Sequence, residues 1–273
     1  MCGVLIGSIS AHSSANMDLP FSILIIALAL TAVSFADDWR GLAVHWRFLA
    51  HFLAAGLFAY LYLASLPYWL AGLLLVAVVW MTNLYNFMDG IDGLAGGMAL
   101  FGFGAYSAGS WAAGDAGLAM LSFLIAAAAL GFLFFNFNPA RVFMGDAGSI
   151  PIGFLSATLG LVGWTRGHWP LWFPLLVFSP FVVDASLTLI RRALRGENVW
   201  RAHKTHYYQR LVQLGWGHRK TVLWEYGLML ACAVSATWAV RQTATIQWGV
   251  ICFWVVMYVL LMVLVGRLEA RSR

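Results

Sequence analysis

Long apolar runs recur along this chain and constrain its fold more than any other feature. A helix needs about 20 mostly apolar residues to cross a bilayer, while a membrane β-strand needs only about 9–11. Runs of the longer kind occupy residues 20–36, 48–65, 67–82, 94–112, 116–135, 149–165, 169–190, 222–240 and 246–266. Within lipid, backbone groups must bond to one another, so long spans of this kind are helical. The expected fold is all-α: a polytopic transmembrane helical bundle of about nine spans, forming one integral membrane domain over residues 1–273. Composition excludes an ordinary soluble domain, because 62% of residues are hydrophobic and only 10% are charged, against about 45–50% and 25% in soluble chains. Pro174 and Pro180 are expected to bend the seventh span.

The connections alternate in length. Those near 66, 113–115, 166–168 and 241–245 are tight, whereas 37–47, 83–93, 136–148 and 191–221 are longer and polar. In an up-and-down bundle all four long loops fall on one side. The basic residues follow that division. Arg40, Arg47, Arg141, the cluster from Arg191 to Lys220, and Arg267, Arg271 and Arg273 lie on the long-loop side. Only Arg166 and Arg241 lie opposite. Basic loops remain cytoplasmic, so the long loops are expected to face the cytoplasm. This asymmetry accounts for the net charge of +5 without invoking nucleic acid. Cys2, Cys232 and Cys252 show no paired spacing, and no disulfide framework is expected.

The acids collect in the same loops. Asp37 and Asp38 are adjacent at a helix end, where the negative pole of the helix dipole disfavours them unless a cation lies nearby. The stretch Asn83-Leu-Tyr-Asn86-Phe-Met-Asp89-Gly-Ile-Asp92-Gly interrupts membrane-grade sequence with two carboxylates and two carboxamides. Hard oxygen donors of this kind suit Mg²⁺, and a plain turn is the simpler reading. The third loop places Asn136, Phe143 and Asp146 ahead of the sixth span. There an acid and open backbone N–H groups favour phosphate and metal, or simply cap the helix. The fourth loop, 191–221, holds Arg201, His203, Lys204 and His206. Such a set fits a polyanion clamp or a contact with anionic membrane lipids. Asp184 lies inside the seventh span, where acids mark function or a helix-orienting hydrogen bond.

The motifs Asp37-Asp38, Asn83 to Asp92 and Phe143-Met-Gly-Asp146-Ala-Gly-Ser149 resemble those of the polyprenyl-phosphate N-acetylhexosamine-1-phosphate transferases. That superfamily (glycosyltransferase family 4) includes the phospho-MurNAc-pentapeptide translocase, and the fourth loop resembles its O-antigen-initiating branch. The resemblance implies transfer of a sugar 1-phosphate from a UDP-sugar to undecaprenyl phosphate, with release of UMP and dependence on Mg²⁺ or Mn²⁺. It implies Asp146 as the main metal ligand with Asn86 second. Asp92, Asn136 and Phe143 would hold uridine beside Asn83. Asp37, Asp38 and Asp89 would form the catalytic acid group, and Arg201, His203, Lys204 and His206 would brace sugar and phosphates. Relatives often dimerise. They usually begin with a further span and a donor-binding loop, so the N-terminus is expected to be shortened, and an inactive homologue is one alternative. A cation transporter is another, but its acids belong at span centres, and here all but Asp184 cluster near loops.

Overall fold

A computed structural model describes residues 19–198 and 203–272. Arg201 and the expectation of a shortened N-terminus lie outside the described residues. Among those described, every regular element is helical: α1 (Phe21–Arg40), α2 (Val44–Tyr62), α3 (Tyr68–Phe87), α4 (Leu94–Ala112), α5 (Ala116–Asn136), α6 (Asp146–Thr165), α7 (Trp172–Val177), α8 (Ser179–Leu194), α9 (Tyr207–Leu211), α10 (Gly217–Ala239) and α11 (Ala244–Ser272), with a π-helical turn at Val212–Trp216.

The nine expected spans all coincide with helix, but they do not all qualify as independent spans. Six segments are long and apolar enough to cross a membrane: α1, α3, α5, α6, the run Tyr207–Ala239, and α11. The other three have physical reasons for falling short. α2 carries His45, Arg47 and His51, and α4 is diluted by glycine. The seventh stretch breaks at Phe178 into α7 and α8, with Pro174 in α7 and Pro180 in the first turn of α8. Proline removes a backbone donor and is best accommodated in the first turn of a helix.

α6 is the central, mostly buried helix; α1 and α3 pack against it, α4 pairs with α5, and α10 lies on α4. α11 is largely exposed, with Val255, Val256, Val259, Leu260, Val263 and Leu264 facing outward. The core is built from rings and branched chains such as Phe58, Phe103, Tyr106, Phe154, Phe173 and Phe178, all at most 1% exposed. Gly97 and Gly163 admit the rings of Tyr226 and Trp169 rather than a neighbouring backbone.

The two ends of the bundle differ. At one end the tight connections bring Asp115, Arg166 and His168 together. Asp115 accepts from Arg166 Nη1 at 2.7 Å, lies 2.8 Å from His168 Nε2, and caps α5 through the Leu118 N–H. These contacts outweigh the burial that would raise the Asp115 carboxyl, and hold it below the usual range. At the other end the long polar connections converge.

Candidate active site

The centre of that end is the N-terminus of α6. Gly145 turns into the helix at φ 61°, a left-handed conformation that glycine adopts without steric cost. Asp146 is therefore the first residue of the helix, at its positive dipole end. Asp38 reaches the same turn and accepts from the Ala147 N–H. Arg47, on the first turn of α2, joins the acids: its Nε lies 3.0 Å from Asp37 and its Nη2 donates to Asp146 at 2.6 Å. Asp37 also accepts from the Leu42 N–H at 2.7 Å, which ties it to the loop. The chain thus folds an arginine between two carboxylates that are far apart in sequence.

α3 supplies the facing wall. The Asn86 carboxamide oxygen accepts from Ser149 Oγ at 2.7 Å, one turn into α6. Asp89 follows at the end of α3. Burial, reinforced by the charge of Asp146, raises its carboxyl to about 6. Asn83 turns back to donate to Val79 O at 2.7 Å and is buried.

The second and third loops are sewn together. Asn136 is 4% exposed, and both ends of its carboxamide bind backbone: Oδ1 accepts from Gly93 N–H and Nδ2 donates to Val142 O, each at 2.9 Å. Asp92 accepts from Asn138 Nδ2 at 2.8 Å and from Ala140 N–H at 3.2 Å, with His218 Nδ1 3.6 Å away. Burial would raise the Asp92 carboxyl, but these donors hold it below its ordinary range. Phe143 is 73% exposed and leaves its ring face open beside this frame.

The fourth loop is anchored from inside the bundle. Asp184 on α8 accepts from the N–H groups of Tyr207 and Tyr208 at 2.9 and 3.1 Å and from Thr188 Oγ1 at 3.1 Å, with His206 Nδ1 at 3.3 Å. It therefore caps α9 across more than twenty residues of chain. His206 is 2% exposed and stacks on Tyr208. The Tyr208 hydroxyl lies against Gly90, between Asp89 and Ile91, where no Cβ would fit. His203 sits beside His206, with ring centroids 4.9 Å apart. Burial, and then the neighbouring cations, lower His203 to about 4, so it is a neutral imidazole at neutral pH. Lys204 is exposed and its carbonyl accepts from Gln213.

Asp37, Asp38, Asn86, Asp89 and Asp146 thus gather in one place, with Asp92, Asn136 and Phe143 in the adjoining loop frame. His203 and His206 belong to a separate layer, joined to the acids through Tyr208. Sequence reasoning missed Arg47, Asn138 and His218 as site residues. Arg47 had one available signal, a basic residue on the helix directly after an acidic pair.

Residues 20–163, more than half of the chain, match one family description. The chain belongs to glycosyl transferase family 4. It is 33% identical over 171 residues to a probable undecaprenyl-phosphate N-acetylglucosaminyl 1-phosphate transferase of Bacillus subtilis, covering 62% of this chain and 47% of that protein. It is 31% identical over 173 residues to a phospho-N-acetylmuramoyl-pentapeptide-transferase of Staphylococcus aureus, covering 63% and 50%. The chain spans about half the length of the curated relatives it matches. The matched family region includes the acid pair, the Asn83–Asp92 stretch and Asp146; α7 to α11 lie beyond it.

The acid group also fits a divalent metal in its donor chemistry. Asp38, Asp89, Asp146 and Asn86 offer hard oxygen donors, and the charge of Asp146 adds to burial in raising the Asp89 carboxyl. No group of three or more His, Cys, Asp or Glu residues forms a ready-made cage among the described residues.

Proposed function

We propose that this chain transfers a sugar 1-phosphate from a UDP-sugar to undecaprenyl phosphate, releasing UMP at the cytoplasmic face of the bacterial inner membrane. The sugar would be an N-acetylated hexosamine or deoxyhexosamine, and the product would start a lipid-linked envelope glycan such as O-antigen. The observation that carries this reading is the gathering of Asp37, Asp38, Asp89 and Asp146 at the N-terminus of α6, with Arg47 bridging Asp37 and Asp146.

Phosphoryl transfer requires positioning and charge neutralisation more than covalent chemistry. Asp146 and Asn86 would hold Mg²⁺, which when bound supplies Lewis-acid neutralisation of a diphosphate. Arg47 holds the Asp146 and Asp37 carboxylates in register and offers a guanidinium to an incoming phosphate oxygen. The N-terminal N–H groups of α6 favour negative charge at the same point. Asp37 and Asp38 lie at the end of α1, where an acceptor phosphate would approach from the lipid side. That phosphate has a second pKa of about 6 and is already substantially ionised at neutral pH, so a carboxylate has only to orient it. Phe143 offers a face for a uracil ring, and the Asp92–Asn138 and Asn136 bonds hold the loop that presents it. His203, neutral and next to buried His206, would bond sugar hydroxyls as a hydrogen-bonding group rather than as a cation.

The test is UMP release by the purified full chain with undecaprenyl phosphate, Mg²⁺ and a panel of UDP-sugars. Turnover with one acetamido sugar is expected, falling at least about 100-fold in Asp146→Asn, the scale of removing a key electrostatic group. Full activity of Asp146→Asn would remove the metal assignment. Divalent-cation flux into liposomes with no UMP release would favour a transporter instead.

A further inference from the structure

A second charged feature lies outside the acidic centre and has no part in the chemistry above. At the end of α8, a cavity of about 240 Å³ is lined by Arg191, Arg192 and Arg195, by Arg210 of α9, and by Glu197 and Glu269. Four guanidiniums against two carboxylates leave an excess of positive charge. The carboxylates also hold the arginines still. Arg192 donates to Glu197 at 2.8 Å and to Asn198 O at 3.0 Å, and Arg210 makes two hydrogen bonds to Glu269. Arg191 donates to Tyr207 Oη at 2.6 Å. Arginines already fixed in place lose less freedom when they meet an anion, and their planar forks match phosphate oxygens.

Size and setting narrow the ligand. Small-molecule sites usually occupy about 300–1,000 Å³, so this cavity is too small for a nucleotide sugar but accommodates one phosphate group. Arg191, in the last turn of α8, and Arg195, just past its end, are both exposed next to Ile190 and Leu194, which are 53% and 83% exposed. On α11 the exposed run Val259, Leu260, Val263 and Leu264 ends shortly before Glu269. The cavity therefore sits where lipid-facing apolar surface gives way to charge, at the level of headgroups.

We propose that this cavity is a binding site for a single phosphate group, carried by an anionic phospholipid headgroup or free in solution. The inference does not depend on the transferase reaction. Its test uses the full chain in nanodiscs of phosphatidylcholine, alone, with added phosphatidylglycerol, or with added inorganic phosphate. Melting temperature and lipid retained in native mass spectrometry are read in parallel. Phosphatidylglycerol is expected to raise the melting temperature by about 3 °C, a typical response to a weak ligand, and to remain bound on detergent extraction. Arg191→Gln with Arg195→Gln should abolish both effects. Arg191→Lys with Arg195→Lys should keep part of them, which separates lost charge from lost folding. Arg241→Gln, at the opposite end, should change neither. Stabilisation by inorganic phosphate alone, lost in the glutamine pair, supports the site and assigns it to a soluble phosphate. Equal stabilisation of wild type and glutamine pair, or no response to either probe, overturns the proposal. Neither reading depends on UMP release, so a failed transfer assay leaves this test intact.

Discussion

Asp89 and Arg47 meet the charge of Asp146 in opposite ways, Asp89 being raised by burial as well. Asp89 has its carboxyl raised to about 6 by burial and by Asp146, against about 3.9 in an unfolded chain. Between those values the folded state holds a proton that the unfolded state has lost. Stability from this residue is therefore present below about pH 4, falls as pH rises toward 6, and stays lost above it. Asp89→Asn should be more stable than wild type at pH 7.5, by on the order of 2 kcal/mol, and the difference should vanish near pH 4. Thermal melts at the two pH values without divalent metal would check this; an equal difference at both would refute it. Arg47 acts in the other direction, since it pairs with two acids. Arg47→Gln should cost about 1–2 kcal/mol in metal-free buffer, and added Mg²⁺ should restore more stability to this variant than to wild type. A melt in which Mg²⁺ helps both equally would show that arginine and metal do not share the same charge. The acids themselves were legible in the sequence, because carboxylates between apolar runs have no inexpensive bland explanation. Arg47 left one local signal, its place on the helix after the acidic pair, and its second partner, Asp146 on α6, left none.

At the scale of elements, the helices could be read from apolar run length, and the break of the seventh stretch from its prolines. What could not be read was how α8 and α9 communicate. Asp184 looked like an intramembrane acid with a function or an orienting bond. In the fold it caps α9 and directs Tyr208 onto Gly90, a contact between residues more than a hundred positions apart. Neither the capping nor the close approach has a sequence signature, since α9 is five residues long and follows a loop. The contact predicts a specific pair of outcomes. Gly90→Ala should displace Tyr208 and lower transfer by about 10-fold or more, in keeping with the cost of overpacking. Tyr208→Phe, which removes only the colliding hydroxyl, should be nearly neutral alone and should rescue Gly90→Ala. Additive losses in the double-mutant cycle would show that the two residues do not couple. The carboxamide of Asn136 makes the same point on a smaller scale. Its resemblance-based role was contact with uridine, while its visible bonds all run to backbone. Its first effect on ligand binding is therefore through loop shape.

For the whole molecule, the decisive property is the difference between its two ends. One carries the compact Asp115–Arg166–His168 cluster on tight turns. The other carries the acids, the histidine layer and the arginine-lined cavity. Alternation of short and long connections made this division readable before any coordinates, because each helix that crosses must return. The number of crossings was less readable, since α2 and α4 are held by neighbours and can be less apolar than an isolated span. α2 and α4 pack against α1, α3, α5 and α10, contacts that hydropathy cannot register. Sidedness is then a question of which end retains the arginines, and the retention of basic loops in the cytoplasm gives a definite expectation. In a background with Cys2, Cys232 and Cys252 replaced by serine, Lys204→Cys should react with a membrane-impermeant maleimide only in inverted vesicles. Gln242→Cys, on the tight turn between α10 and α11, should react in intact spheroplasts. If both cysteines label from the same side, an odd number of crossings cannot separate residues 204 and 242, and the run Tyr207–Ala239 does not span. If the two labels are exchanged, the bundle is inverted, the acids face away from cytoplasmic UDP-sugars, and the proposed transfer fails with them.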